Sequence, residues 1–169
     1  MKGVNHLEIL IRKMKTEDWD AVAAIYREGI ETTKATFQTE IPSYEQWDQG
    51  HIKNCRFVAE VDHEVVGWTA LSPVSSRCVY AGVAEVSVYI KNNYRGKHIG
   101  EQLFRHLIKE SEAEGYWTLQ SGIIEINKAS IALHQKVGFR MVGYRERIAK
   151  DCNGVWQNTV LMERRSSVI

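Results

Sequence analysis

Proline is almost missing from this sequence, with only Pro42 and Pro73. No internal repeat, low-complexity tract or charge block marks a linker. One core serves roughly 100 to 200 residues, so a uniform chain of 169 residues is expected to form a single domain, 1–169. Cysteine is scarce as well: Cys55, Cys78 and Cys152 are odd in number and lack CxxC spacing, which argues against a disulfide framework and a cysteine zinc site. They read as reduced thiols.

An excess of charge of one sign is also lacking, since 22 Lys plus Arg face 21 Asp plus Glu. Such a balance gives no general field for nucleic acid or an anionic membrane, so any bound anion must be gripped locally. Long apolar runs are absent: nothing approaches the roughly 18 residues that span a bilayer, and the opening MKGVNHLEILIRKMK has no continuous apolar signal region. The expectation is a cytoplasmic protein with neither nucleic-acid nor membrane partners.

What is present is an interleaving of two periodicities. Residues 7–14 alternate as a strand, Thr16 to Asp18 read as a helix start, and Trp19, Val22, Tyr26 and Ile30 recur at helical spacing. Ser43 with Gln46 forms a capping box for a short helix to about His51, and 56–61 with 65–71 flank a turn at Asp62, His63 and Glu64 as a hairpin. Residues 83–90 form a strand with Val86, Val88 and Ile90 on one face and Glu85, Ser87 and Tyr89 on the other. A polar loop follows, then a helix from Ile99 to near Gly115, a strand over 117–124, a short helix over 130–137 and two closing strands, 139–149 and 155–162. That order predicts an α/β sheet with helices packed on it.

The loop Arg95, Gly96, Lys97, His98, Ile99, Gly100 lies where a strand gives way to a helix, so its backbone N–H groups and the helix dipole address one point. Glycine lets the backbone approach phosphate oxygens, and Arg95 and Lys97 can add charge-assisted contacts. A diphosphate suits such a site, although by itself the segment reads equally well as a tight turn. It matches neither the GxxxxGK[ST] loop nor the three-glycine dinucleotide fingerprint.

The succession AEVSVYI, NNYRGKHIG, helix, strand, INKASIALHQKVGF resembles the GCN5-related N-acetyltransferase (GNAT) superfamily across nearly the whole chain. The closer likeness, in IYREGIETTKATFQTEIPSYEQW, FVAEVDHEVVGW, ASIALHQKVGF and NGVWQNTVLM, is to phosphinothricin and methionine sulfoximine acetyltransferases. The resemblance implies an α/β (α+β) GNAT fold, with a mixed, mostly antiparallel sheet of about seven strands and about four helices, split between the fourth and fifth strands. It implies acetyl-CoA as cosubstrate, with pantetheine along the backbone of Val88, Tyr89 and Ile90. Pyrophosphate would lie on Arg95, Gly96, Lys97, His98, Ile99 and Gly100, and Asn127 and Ser130 would sit beside the thioester. Asn127 also reads as a helix N-cap. Two departures stand out. His98 occupies the pattern's first glycine, where a positive φ strains a side chain. Asn158 replaces the aspartate usual in the related enzymes.

An amine attacks a thioester only as the free base, so the implied reaction needs a proton acceptor. By the same resemblance that acceptor is Glu85, and His134 is either the acid for the departing CoA thiolate or a positioning residue. Arg77 would grip a substrate carboxylate, with Phe37 and Tyr80 as apolar walls. Read without the resemblance, Glu85 is an exposed or ion-paired strand residue, Phe37 a core residue and Arg77 a solvated charge. His6, His51, His63, His98 and His106 form no ligand spacing, so no metal is expected. The implied substrate is a small amino-acid-like amine and the implied assembly a homodimer; the apolar strand with Val155, Trp156, Val160 and Leu161 suits such an interface and an internal sheet position equally. Polyamine or protein-lysine acetylation, and a silent CoA-binding sensor, remain open alternatives.

Overall fold

The computed structural model describes residues 7–169, leaving His6 outside. In chain order the elements are β1 (Leu10–Lys13), α1 (Trp19–Glu31), α2 (Tyr44–Gly50), β2 (Phe57–Val61), β3 (Glu64–Pro73) and β4 (Val83–Ile90). They continue with α3 (Ile99–Ala113), β5 (Thr118–Ile124), α4 (Lys128–Lys136), β6 (Arg140–Lys150) and β7 (Trp156–Arg165). The strands form one seven-stranded sheet in the order β1-β2-β3-β4-β5-β7-β6. Only the β4–β5 pair is parallel. This is the expected mixed sheet.

Local chemistry explains most element boundaries. Ser43 accepts the N–H of Gln46, and the Gln46 side chain accepts the N–H of Ser43, so the capping box opens α2. The helix start read at Thr16 to Asp18 is present as one 3-10 turn that runs into α1, and the side chain that fixes it is Asp18. Asp18 accepts the N–H of Lys15 at 2.7 Å and is gripped by both terminal nitrogens of Arg12. The hydroxyl of Thr16 is shorter and uncharged, and a carboxylate already paired with arginine is the stronger acceptor.

Strand register assigns the faces. Trp68, Ala70 and Ser72 of β3 stand opposite Tyr89, Ser87 and Glu85 of β4, and directly paired residues project to the same side. On that side Val22 and Ile25 of α1 and Trp47 of α2 close over Val58, Trp68 and Ala70. On the other, Leu103, Phe104 and Leu107 of α3 pack on Val66, Leu71, Val86 and Leu119. Burying each such side chain contributes about 1.5 to 3 kcal/mol before ordering costs.

The sheet opens at its centre. β4 and β5 pair only through Val83, Ala84 and Glu85 with Thr118, Leu119 and Gln120. Beyond that point β4 runs to Ile90 and β5 to Ile124 without a shared ladder. This is the expected split between the fourth and fifth strands.

Of the two roles open to the last strand, an interface or an internal strand, its middle takes the second: β7 lies between β5 and β6, and Val160 is buried. Exposed apolar side chains at this end of the sheet are Met141, Tyr144 and Ile148 on β6, Val155 in the turn and Trp156 at the start of β7. Of the cysteines, all free, only Cys55 is buried.

Candidate active site

The opening between β4 and β5 is continuous with a cavity of about 1280 Å³. Its lining runs from Arg95, Gly96, His98, Ile99 and Gly100 along Val88, Tyr89 and Ile90, past Asn127, Ser130 and His134, to Glu85 and Phe37. Thus most of the residues singled out in the sequence meet in one wall. Arg77, Tyr80 and Lys97 do not belong to it.

One end of the cavity is built from backbone. The loop after β4 delivers the chain to α3, whose first amides have no intrahelical acceptor and point toward the opening. Gly96 has φ +73°, and His98 has φ 61° and ψ 9°, so the anticipated positive φ on a side-chain-bearing residue is present. A left-handed residue costs about 1 to 2 kcal/mol when it is not glycine. Arg95 Nε donates to the Ile90 carbonyl at 3.3 Å, whereas Lys97 Nζ lies over the Tyr94 ring at 4.8 Å.

Glu101 is a carboxylate at an anion site, yet Lys136 and Arg105 hydrogen-bond to it and hold its pKa down at about 2. Both Glu101 and Lys136 line the cavity. The pair of cations outweighs the one carboxylate, so this end keeps a net positive character. Sequence reasoning passed over Glu101, because its partner Lys136 comes from a different helix.

Tyr89 is clamped from the side of α1. Its ring stacks on Trp68 at 4.9 Å and meets Tyr26 at 4.9 Å. A Cβ on Gly29 would come within 2.6 Å of that ring, so glycine is required for α1 to approach β4 this closely. The strand that borders the opening is therefore held rigidly from behind.

The middle of the cavity is formed by α4 and β5. Asn127 caps α4, its side-chain oxygen accepting the Ser130 N–H at 3.2 Å, as read from sequence. His134 is buried, and its two ring nitrogens are both engaged: Nδ1 lies 2.7 Å from the Ser130 carbonyl and Nε2 2.9 Å from Ser121 Oγ. A carbonyl only accepts, so Nδ1 carries the hydrogen and Nε2 accepts from the Ser121 hydroxyl. Burial depresses the His134 pKa, which keeps the ring neutral. In that form the ring has no proton free to give. Ser121, which also lines the cavity, was not marked in the sequence, since a serine in a strand carries no pattern.

At the far end Glu85 is exposed to the cavity, with Phe37 from the segment between α1 and α2 and Ser72 across the ladder on β3. Glu85 and Ser121 project to opposite faces of the sheet, because Gln120 is the β5 residue level with Glu85. Only a molecule lying in the split can reach both. Arg77 is in the exposed loop before β4, its guanidinium 5.7 Å from the centre of the Tyr80 ring.

Asn158 lies outside the cavity and joins three strands. Its side-chain oxygen accepts the Arg147 N–H at 2.8 Å where β6 bulges, and its nitrogen donates to Glu125 at 2.9 Å. An aspartate could accept from Arg147 but not donate to Glu125. The amide thus suits this position. Among the described residues no cluster of three or more histidines, cysteines or carboxylates could hold a metal ion, and no helix is long and apolar enough to cross a membrane.

Comparison with known proteins agrees with this geometry. A family model described as acetyltransferase (GNAT) family matches residues 19–139. The chain is 31% identical over 157 residues to phosphinothricin N-acetyltransferase of Streptomyces viridochromogenes, covering 87% of this chain and 85% of that protein. It is 25% identical over 159 residues to L-methionine sulfoximine/L-methionine sulfone acetyltransferase of Pseudomonas aeruginosa, covering 90% and 92%. A solved phosphinothricin acetyltransferase from Sinorhizobium meliloti in complex with AcCoA superposes with TM-score 0.83 at 26% identity, covering 93% of this chain and 88% of that one.

Proposed function

The chain belongs to the acetyltransferase (GNAT) family, and on that premise we propose that it acetylates the amino group of a small amino-acid-like substrate of the phosphinothricin or methionine sulfoximine type. It is an acetyl-CoA-dependent N-acetyltransferase. The observation that carries the substrate reading is the single cavity that joins a backbone anion site to Glu85 through the split sheet.

Acetyl-CoA fits the residues present. A Cβ on Gly100 would sit 3.4 Å from Leu133 and 3.5 Å from Ile90, so glycine keeps the wall of the opening clear there. The amides from Gly96 onward would hold the pyrophosphate and the unpaired edge of β4 at Val88, Tyr89 and Ile90 the pantetheine arm. When bound, the thioester supplies an acetyl carbon open to attack. Glu85 takes the ammonium proton, through a bridging water, so that the nitrogen lone pair is free. His134 acts by position, holding the Ser121 hydroxyl toward the split beside Asn127 and Ser130.

Arg77 is proposed as the carboxylate clamp, reaching the opening by a movement of the loop that carries it with Tyr80, while Phe37 provides the apolar wall. We further propose one domain over 1–169, a cytoplasmic location, and a homodimer that covers the apolar edge formed by Met141, Tyr144, Ile148 and Trp156.

The test is CoA thiol release from acetyl-CoA against methionine sulfoximine, methionine sulfone, phosphinothricin, ordinary amino acids, polyamines and a lysine peptide. Turnover confined to the first three supports the reading. Polyamine or peptide turnover replaces the substrate class, and silence with tight acetyl-CoA binding replaces the enzyme by a sensor.

A further inference from the structure

His51 is among the cavity-lining titratable rings that take no part in this mechanism. His51 follows the last turn of α2 and lines the same cavity as Glu85 and Ser72. Its place is fixed by the backbone: the Ile52 N–H donates to the Leu71 carbonyl at 2.7 Å, and the next residue on β3, Ser72, pairs with Glu85. His51, Ser72 and Glu85 therefore lie at one level of the sheet. They are also on one face, since Ser72 and Glu85 share the side on which α2 packs.

The ring itself is held from several directions. It stacks on Trp47 at 4.3 Å with the planes 23° apart, and stands edge-on to Trp68 at 6.4 Å. Arg56 donates to the carbonyls of His51, Asp48 and Ile52, which pins the turn that presents the ring. His51 Nδ1 lies 2.7 Å from the Trp47 carbonyl, so Nδ1 bears the hydrogen and Nε2, on the far side of the ring, is an acceptor with no protein partner among the described residues. A carbonyl bond, an aromatic stack and an arginine clamp all serve to orient one nitrogen lone pair.

We propose that His51 Nε2 is a second contact for the substrate's amino group, accepting one of its N–H bonds while Glu85 takes the proton, so that the nitrogen lone pair is turned toward the split in the sheet. This rests on the acetyltransferase reading of the cavity. A primary ammonium has three N–H bonds, enough for one to the water that leads to Glu85 and one to His51. Loss of the proton to Glu85 leaves the second bond in place, and that bond fixes the direction of attack. Burial lowers the affinity of the ring for protons, with the Arg56 charge adding to the effect, so the acceptor is neutral rather than a competing cation. A neutral acceptor that forms part of the wall selects for amines with a hydrogen to spare after deprotonation.

The test compares His51→Phe, which keeps an aromatic ring on Trp47 but has no acceptor, with His51→Gln, which restores a side-chain oxygen. For methionine sulfoximine the Phe variant is expected to lose about tenfold or more in kcat/KM and the Gln variant no more than about threefold, with KM for acetyl-CoA unchanged in both. Equal losses in the two variants, no loss in either, or a parallel rise in the acetyl-CoA KM would overturn the contact. In the wild-type protein, methionine sulfoximine is expected to move the ¹⁵N resonance of His51 Nε2, and an unmoved resonance overturns the proposal even if a variant fails to fold. A wild-type protein that turns over no amine overturns the substrate reading and this contact together, whereas turnover with a silent His51 overturns the contact alone.

Discussion

The two ends of the cavity are made differently. The cofactor end comes from one unbroken segment, the end of β4, the loop and the start of α3, and its working groups are largely backbone. The amine end takes Phe37, His51 and Glu85 from separate parts of the chain, and its working groups are side chains. Backbone donors survive most substitutions, because every residue but proline carries them. A side-chain acceptor is lost with one change. Variants at the two ends should therefore fail in different ways and by different amounts.

The sharpest contrast is at Glu85. Glu85→Gln removes the proton acceptor while keeping the shape, and turnover is expected to fall about 100-fold or more, within the usual range for general-base loss. The dissociation constant for acetyl-CoA, read by calorimetry, should stay within about twofold, since the backbone end is untouched. A joint loss of turnover and cofactor binding would mean that the two ends are not separable.

Next in size is Arg77. If its guanidinium grips the carboxylate, Arg77→Ala raises KM for methionine sulfoximine about tenfold, one charge-assisted contact at roughly 1.4 kcal/mol, and leaves a decarboxylated analogue unchanged. Equal effects on both amines would leave Arg77 as the solvated loop residue that its stack on Tyr80 also permits. Smaller still are the basic residues of the cofactor end. Arg95→Ala should weaken acetyl-CoA binding by about fivefold, and Lys97→Ala, whose ammonium is occupied on the Tyr94 ring and does not itself line the cavity, by less than about twofold. A large loss from Lys97→Ala would show that side chains rather than amides carry that end.

The same contrast explains what the sequence could say. The cofactor end was legible because a backbone site leaves a contiguous signature: a strand, a glycine-bearing turn and a helix start within one short stretch. The capping box at Ser43 and the N-cap at Asn127 were legible for the same reason, since donor and acceptor lie three residues apart. Glu85 and His134 required the resemblance, as a single glutamate or histidine has no periodicity of its own. Ser121 and Glu101 carry no sequence signature because their partners His134 and Lys136 come from other elements, and His51 carries none because the level it shares with Ser72 and Glu85 exists only once α2 is packed on the sheet. Sequence leaves the final strand open between an interface and an internal position, because its apolar residues suit both; strand order, a tertiary fact, puts β7 inside and leaves β6 on the edge. In sequence Asn158 is only an amide in place of an aspartate; its double role as acceptor and donor is visible once Arg147 of β6 and Glu125, just past β5, are assembled around β7.

The smallest predicted effect lies at the middle of the cavity, where both kinds of construction meet, and it concerns stability rather than turnover. His134 binds protons less readily in the folded state than in the unfolded chain, where its pKa is near 6.5. Above that value both states are neutral at this ring and its contribution is fully present. As pH falls below about 6.5 the unfolded chain takes up a proton that the buried ring resists, so stability declines with falling pH until the folded-state value is reached. His51, shifted in the same direction, adds to the decline. Thermal midpoints recorded between pH 7.5 and 5.5 should therefore drop, and His134→Gln should flatten part of that drop by removing one of the two rings, while lowering the midpoint at pH 7.5 through loss of the bonds to Ser130 and Ser121. A pH slope that the substitution leaves unchanged would mean that the folded state binds a proton at His134 as readily as the unfolded chain does, which returns an imidazolium to reach as pH falls toward 6.5 and reopens the acid role. The stability curve thus tests, without any substrate in the tube, whether the fold holds this ring neutral.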